Sequence, residues 1–155
     1  MEIYTDGSCR ANGKVGANGG FGVVVVDDDN IIRTYREDEI GTTNNRMEIK
    51  AILWAFLNYG VKPDDEWEND IPIVYSDSSY CVNTFNDWMW GWAKKGWIKS
   101  DKKKPENLDL ITQYYDHWLD GYRIDLRKIK GHAGYEYNEL ADQLATGEVK
   151  EIIHG

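Results

Sequence analysis

Hydrophobic and polar positions along the chain fall into runs with the two periods that separate strands from helices. Residues 2 to 6, "EIYTD", form a short apolar strand that ends on an aspartate. "GGFGVVVVDDDNIIRTYRE" then reads as two strands joined by the polar turn "DDDN" at 27 to 30, so the chain begins as an antiparallel meander. The Gly-rich stretch between Asn12 and Gly22 is expected to be a loop, and because a strand rather than a helix follows it, a dinucleotide fingerprint is excluded. "TTNNRMEIKAILWAFLNYG" is the clearest helix, with Thr or Asn as N-cap, Glu48 early, apolar residues through Leu57, and Gly60 as its stop. Downstream, "IPIVYS" predicts a strand and "SSYCVNTFNDWMWGW" an aromatic-rich helical stretch. A helix ending at Gly121, an alternating strand "YRIDLRKI" and a short helix "NELADQLATGEV", capped at or near Asn138, complete the pattern.

That order predicts an α/β fold: a five-stranded mixed sheet, three antiparallel N-terminal strands plus two parallel, flanked by helices. "IYTDGS" at 3 to 8 has a near copy in "VYSDSS" at 74 to 79. Asp6 and Asp77 therefore each close a strand, with Tyr4 and Tyr75 pointing to the same face by the two-residue period. In open sheets of this kind ligands gather at strand carboxyl ends, where both acids lie.

With 155 residues and 41% hydrophobic content the chain reads as one folded domain over 1 to 155. No apolar run is long enough for a membrane span and no secretory leader is evident, so a cytoplasmic location is expected. Cys9 and Cys81 match no zinc spacing and are expected to be free thiols, neighbours in space because each follows one of the two strand-ending acids. The net charge of −9 argues against a polyanionic partner until its distribution is considered. Residues 94 to 104, "KKGWIKSDKKK", carry six Lys and one Asp, leaving the other 144 residues at −14. That asymmetry, a basic island in an acidic chain, is the informative feature of the charge.

Glu48 is out of place in its helix, because Ala51, Ile52 and Ala55 share its side and carry that side into the core. Asp142 has a similar setting in "ELADQLA". A buried charge needs a cation, and Arg is scarce nearby, with only Arg10, Arg46 and the "RIDLRK" strand as candidates. Carboxylates without Cys or clustered His select hard divalent ions, and four of them suit two Mg²⁺ ions. Such a pair, about 3.5 to 4 Å apart, would hold an attacking water and stabilise a leaving oxygen at a phosphodiester.

"YTDGSC", "TTNNRMEIKA", "YSDSSY", "WAKKGWIKSDKKKPENLDL" and "IKGHAGYEYNELADQLA" resemble, in order and spacing, the motifs of ribonuclease H, type 1 branch, over residues 3 to about 147. The resemblance implies a ribonuclease H-like fold and endonucleolytic cleavage of the RNA strand of an RNA–DNA hybrid, giving 5′-phosphate and 3′-hydroxyl ends. It also implies two Mg²⁺ ions, with Mn²⁺ as the alternative. The family's metal-binding carboxylates fall on Asp6, Glu48, Asp77 and Asp142, and its loop histidine, which assists proton movement or product release, on His132. Asn12, Asn44 and Asn45 are implied as minor-groove and 2′-hydroxyl contacts, and Thr43 as a holder of a DNA-strand phosphate while it also caps its helix. The segment at about 92 to 106 resembles the family's basic protrusion: Trp88, Trp92 and Trp97 are implied against deoxyribose or as anchors of the protrusion, and Lys94, Lys95, Lys102 and Lys103 as phosphate contacts.

The loop after Asn12 reads "GKVGANGGFG" where many relatives carry a shorter Asn-Pro-Gly run, and Ser79 stands where some carry Gln. No separate hybrid-binding domain is expected, no membrane contact, and a monomer. The competing reading is a non-catalytic nucleic-acid-binding module on the same fold, against which the intact acidic quartet argues.

Overall fold

A computed structural model of the protein describes residues 1–10, 18–63, 70–129 and 135–150. Its centre is β2 (Asn18–Asp27), whose run of valines alternates between two apolar layers. Val23 and Val25 face a large core shared with α1 (Asn44–Tyr59) and α4 (Leu108–Leu119), while Val24 and Val26 face a smaller one shared with α5 (Tyr135–Thr146). A strand buried on both faces has no polar side to alternate with, which is why "VVVV" occurs there.

The sheet order is β3-β2-β1-β4-β5, with β1 (Glu2–Arg10), β3 (Asn30–Ile40), β4 (Ile73–Ser76) and β5 (Asp125–Lys128) around β2. β1 to β3 are antiparallel, and β4 and β5 add in parallel, as the sequence pattern predicts. Asp28 and Asp29 turn the first hairpin with φ of 52° and 61°, the conformation that a two-residue hairpin requires. Thr43 caps α1 by accepting a hydrogen bond from Arg46 N at 3.1 Å, and Gly60 ends it. Tyr4 and Tyr75 do share a face, their rings stacked at 5.1 Å.

Four boundaries differ from the sequence expectation. β1 does not stop at Asp6 but continues to Arg10, because β2 pairs with it through Arg10↔Asn18. Residues 18 to 22, expected in a loop, are the first half of β2; Gly20 and Gly22 lie against the backbone of α5, and Gly19 against the side chains of Thr42 and Met47. Between α2 (Ser79–Asn83) and α3 (Met89–Lys94) the chain makes a π-helical turn, Thr84–Trp88, within one helical stretch. Finally α5 begins at Tyr135, ahead of Asn138, and its first turn is held by Tyr137 against Tyr4 at 5.3 Å.

His117 of α4 lies flat on Tyr122, with ring centroids 4.1 Å apart, and edge-on to Phe56 at 4.6 Å. Its Nε2 is buried without a partner among the described residues. Burial lowers its pKa first and Lys62 lowers it further, against Asp120 and the Phe56 backbone, which raise it. The folded state therefore prefers neutral His117, so this stability is present above the ordinary histidine range and is lost as pH falls below about 6.5. Replacing His117 by Phe should flatten that acidic limb. Thermal unfolding of both proteins from pH 8 to 5 measures it, and superimposable profiles would refute the assignment.

Candidate active site

Asp6 lies beyond the last β1–β4 pair, Tyr4↔Tyr75, yet still inside the β1–β2 ladder opposite Gly22. The sheet thus forks at Asp6. Thr5 ties the fork by donating to Tyr75 O at 2.8 Å. Asp77 follows the end of β4, just before Ser78, whose hydroxyl caps α2 by accepting from Cys81 N at 3.2 Å.

Two glycines bring helices to this point from both faces. A Cβ on Gly7 would collide with the backbone of Met47 and Glu48, so α1 lies directly on β1 there. A Cβ on Gly22 would collide with Ala141 O and come within 2.6 Å of Leu144 Cβ, so α5 lies equally close on the other face. The first turn of α1 is clamped by Arg46, whose guanidinium forks onto Asp109 of α4 at 3.0 and 2.6 Å and reaches Glu39 of β3 at 3.8 Å.

The outcome is a cluster in which one carboxylate oxygen from each of Asp6, Glu48 and Asp77 lies within 4.8 Å of the others. Asp142 stands outside that triple, exposed on α5, but it is a hydrogen-bond partner of Asp6. Burial raises the pKa of Asp6, and the Asp142 hydrogen bond and the charge of Asp77 raise it further. Glu48 is raised more strongly, by burial and then by the charges of Asp6 and Asp77. Burial thus holds both carboxyls well above the ordinary carboxylate range. Asp77 is raised chiefly by burial and lowered by Lys128.

No arginine neutralises these acids among the described residues: Arg36 is engaged by Asp38, Arg46 by Asp109 and Arg127 by Asp125. Lys128 is a rim cation that was not singled out from sequence; its Nζ donates to Ser79 Oγ at 2.6 Å. The signal for it is positional, since Lys128 ends β5 in register with Ser76, next to Asp77. Glu48 Oε2 is buried with no hydrogen-bond partner among the described residues. An orphaned carboxylate oxygen, two further acids within reach and, among the described residues, no ion pair to any of the three fit a hard divalent ion.

The nucleic-acid candidates separate into groups. Thr43, Asn44 and Asn45 stand together at the start of α1, with both asparagines exposed. Trp88 is 40% exposed and, with Tyr80, Trp92, Lys99 and Glu106, lines a hollow of about 210 Å³. Trp97 is an anchor: its N–H donates to Trp92 O at 2.7 Å and its ring meets Tyr115 edge-on at 5.1 Å. Lys94, Lys95, Lys102 and Lys103 are exposed around a turn closed by Lys99 N to Lys103 O at 2.8 Å. Asn12 and His132 lie outside the described residues. Cys9 and Cys81 are both free, and burial pushes the Cys81 thiol up to about 12, far from a reactive thiolate.

Comparison with known proteins gives this geometry a family context. The sequence model of the family described as RNase H matches residues 1–150. A ribonuclease H of Caldanaerobacter subterraneus subsp. tengcongensis is 38% identical over an alignment that covers 99% of this chain and 93% of that protein. Among solved structures, LC9-RNase H1, a type 1 RNase H with the type 2 active-site motif, superimposes with a TM-score of 0.69 at 28% identity, covering 96% of this chain and 71% of that one. LC11-RNase H1 in complex with RNA/DNA hybrid gives 0.65 at 24% identity, covering 94% of each chain, a likeness of fold.

Two outcomes test the site without any turnover. Because Asp6 and Glu48 have folded pKa values above their unfolded ones, the protein without divalent ions should lose stability as pH rises above the ordinary carboxylate range, about 4. Glu48→Gln should remove much of that loss, and Mg²⁺ or Mn²⁺ should oppose it in the parent. Unfolding curves in chelator against pH decide the matter, and a Glu48→Gln profile parallel to the parent would count against the charged cluster. The second outcome concerns Gly22→Ala, which should destabilise by about 1–3 kcal/mol through overpacking and also weaken divalent-ion binding measured by calorimetry. Gly60→Ala, crowding Phe56 O at 2.6 Å away from the site, should destabilise without that second effect. Equal ion affinities in the two variants would show that Gly22 serves packing alone.

Proposed function

The chain belongs to the ribonuclease H family, and from that premise we propose how its own residues carry the family's reaction. The protein hydrolyses the RNA strand of RNA–DNA hybrids endonucleolytically, leaving 5′-phosphate and 3′-hydroxyl ends. In our reading one catalytic domain spans residues 1 to 155, acts as a monomer, and works in the cytoplasm. No helix among the described residues is long and apolar enough to cross a membrane.

Asp6, Glu48, Asp77 and Asp142 are the proposed ligands of two Mg²⁺ ions, with Mn²⁺ as substitute. When bound, such ions supply Lewis-acid activation of a water and charge stabilisation at the leaving oxygen. The protein's part is to hold the four acids in place. Asp6 is fixed between two strand glycines, Glu48 by a helix clamped through Arg46, and Asp77 by the cap that starts α2. Lys128 keeps Asp77 from rising further in pKa and so favours its ionised, ligating form. His132 is assigned, by resemblance, to proton movement or product release.

For the substrate, Asn44 and Asn45, with Asn12, are proposed to read 2′-hydroxyls and base edges in the minor groove, where neutral amides can both donate and accept. Thr43 at the exposed N-terminus of α1 is proposed for a DNA-strand phosphate. Trp88 and Trp92 offer an open aromatic wall for deoxyribose, with Trp97 behind them as support. Lys94, Lys95, Lys102 and Lys103 supply the phosphate contacts of the protrusion.

The convergence of Asp6, Glu48 and Asp77 carries this reading. Asp77→Asn tests it: the change keeps volume and removes a ligating charge, so the variant should fold, bind hybrid, and cleave at least a hundredfold more slowly, on the order of 3 kcal/mol in the barrier. Cleavage of a labelled hybrid with Mg²⁺, against duplex RNA and duplex DNA as controls, is the measurement. Undiminished cleavage by Asp77→Asn would falsify the ligand assignment.

A further inference from the structure

A cleft of about 660 Å³ opens where the end of β1, the start of β2 and the end of β3 meet the last turn of α5. Side chains alternate along a strand, so Asp6, Ser8 and Arg10 stand on one face of β1. The partner of Ser8 is Gly20, which leaves that face bare beneath Ala145. The cleft therefore extends the line of the carboxylates along β1. At about 3.3 Å per residue, Arg10 is roughly 13 Å from Asp6 along the backbone.

Arg10 lines this cleft and is exposed, and its guanidinium has no ion-pair or hydrogen-bond partner among the described residues. The cleft's two acids are already engaged, Asp38 by Arg36 and Glu39 by Lys50 and Arg46. The wall from α5, Ala145 and Thr146, is uncharged. Among the described residues the site thus presents one uncompensated cation, in a roomy groove that lies along β1 from Asp6. A guanidinium is the side chain whose planar fork matches a phosphate bidentately.

We propose that this cleft is a second anionic subsite, in which Arg10 binds a backbone phosphate of the cleaved strand beyond the point of scission. The subsite rests on the ribonuclease H reading, because the strand that enters it is the one presented to Asp6. It is distinct from the lysine protrusion, which is carried by other elements. The hybrid would be held by an arginine along β1 as well as by the protrusion.

The experiment is hybrid binding by the Asp77→Asn protein in chelator, measured as affinity against salt concentration. Adding Arg10→Ala should weaken binding about tenfold at low salt, as the loss of one charge-assisted contact does, and should reduce the salt slope by about one. Arg10→Lys should restore the slope, since it restores the charge, with only part of the affinity. Arg33→Ala, which removes a cation stacked over Trp54 at 4.9 Å, is the control and should leave the slope unchanged. Hybrids with a single uncharged methylphosphonate linkage locate the contact: one position in the RNA strand should cease to matter once Arg10 is Ala. An unchanged slope in Arg10→Ala, or coupling confined to the DNA strand, would overturn the subsite while leaving the ribonuclease reading intact. If the Asp77→Asn parent failed to bind hybrid at all, the ribonuclease reading would fall and the subsite with it.

Discussion

Repulsion between carboxylates that cannot reach water is the constraint around which this fold is arranged. Asp6 and Glu48 are 6% and 8% exposed; burial makes both hard to ionise, and the charges of Asp6 and Asp77 oppose ionisation of Glu48 further. Left alone, such a pair would separate or remain protonated. The protein prevents separation by rigid means: the β1–β2 ladder on one side of Asp6, the packed stripe Met47, Ile49, Ala51 and Ile52 of α1 behind Glu48, and the Arg46–Asp109 fork at the helix start.

The same constraint explains why glycine occurs where strand propensity disfavours it. A sheet flanked by helices normally keeps about 10 Å to its neighbours, too far for short acidic side chains on a strand and a helix to meet. Gly7 and Gly22 remove the side chains that would hold α1 and α5 away, one from each face, at the two positions adjacent to Asp6 along and across the ladder. The cost in strand entropy falls on β1 and β2, which are paired on both sides and best able to bear it.

Much of this was legible in the sequence, and what was not has a common cause. The α1 helix, the hairpin turn at Asp28 and Asp29, and the oddity of Glu48 on an apolar face all follow from local pattern, because they depend on residues within a turn or two of each other. The motif resemblance named all four acids, and the structure brings three into one cluster with Asp142 beside Asp6. The extension of β1 to Arg10 and the start of β2 at Asn18 were missed because a strand's length is set by its partner, and glycines read locally as loop. Lys128 and the cleft around Arg10 were invisible for the same reason: they exist only once β5 lies beside β4 and the end of α5 lies over Gly20. The π-turn at Thr84–Trp88 has no period of its own in the hydrophobic pattern and could not be read from it.

The distribution of charge then has a physical rationale. A hybrid is a polyanion, and its scissile phosphate must approach the most acidic part of an acidic protein. Before any divalent ion arrives, cluster and substrate repel, so binding strength has to come from cations placed away from the cluster. In the proposed function the +5 segment at 94 to 104 meets that need, its lysines being exposed on a turn of their own, braced by Trp97 against Tyr115. Lysines distributed around the cluster could also bind nucleic acid, but they would pair with the carboxylates and compete with the divalent ions proposed to bind there. Separation of the phosphate-binding charge from the ion-binding charge is therefore a requirement of the chemistry, and the acidity of the remaining surface sharpens it by leaving the nucleic acid few other places to lie.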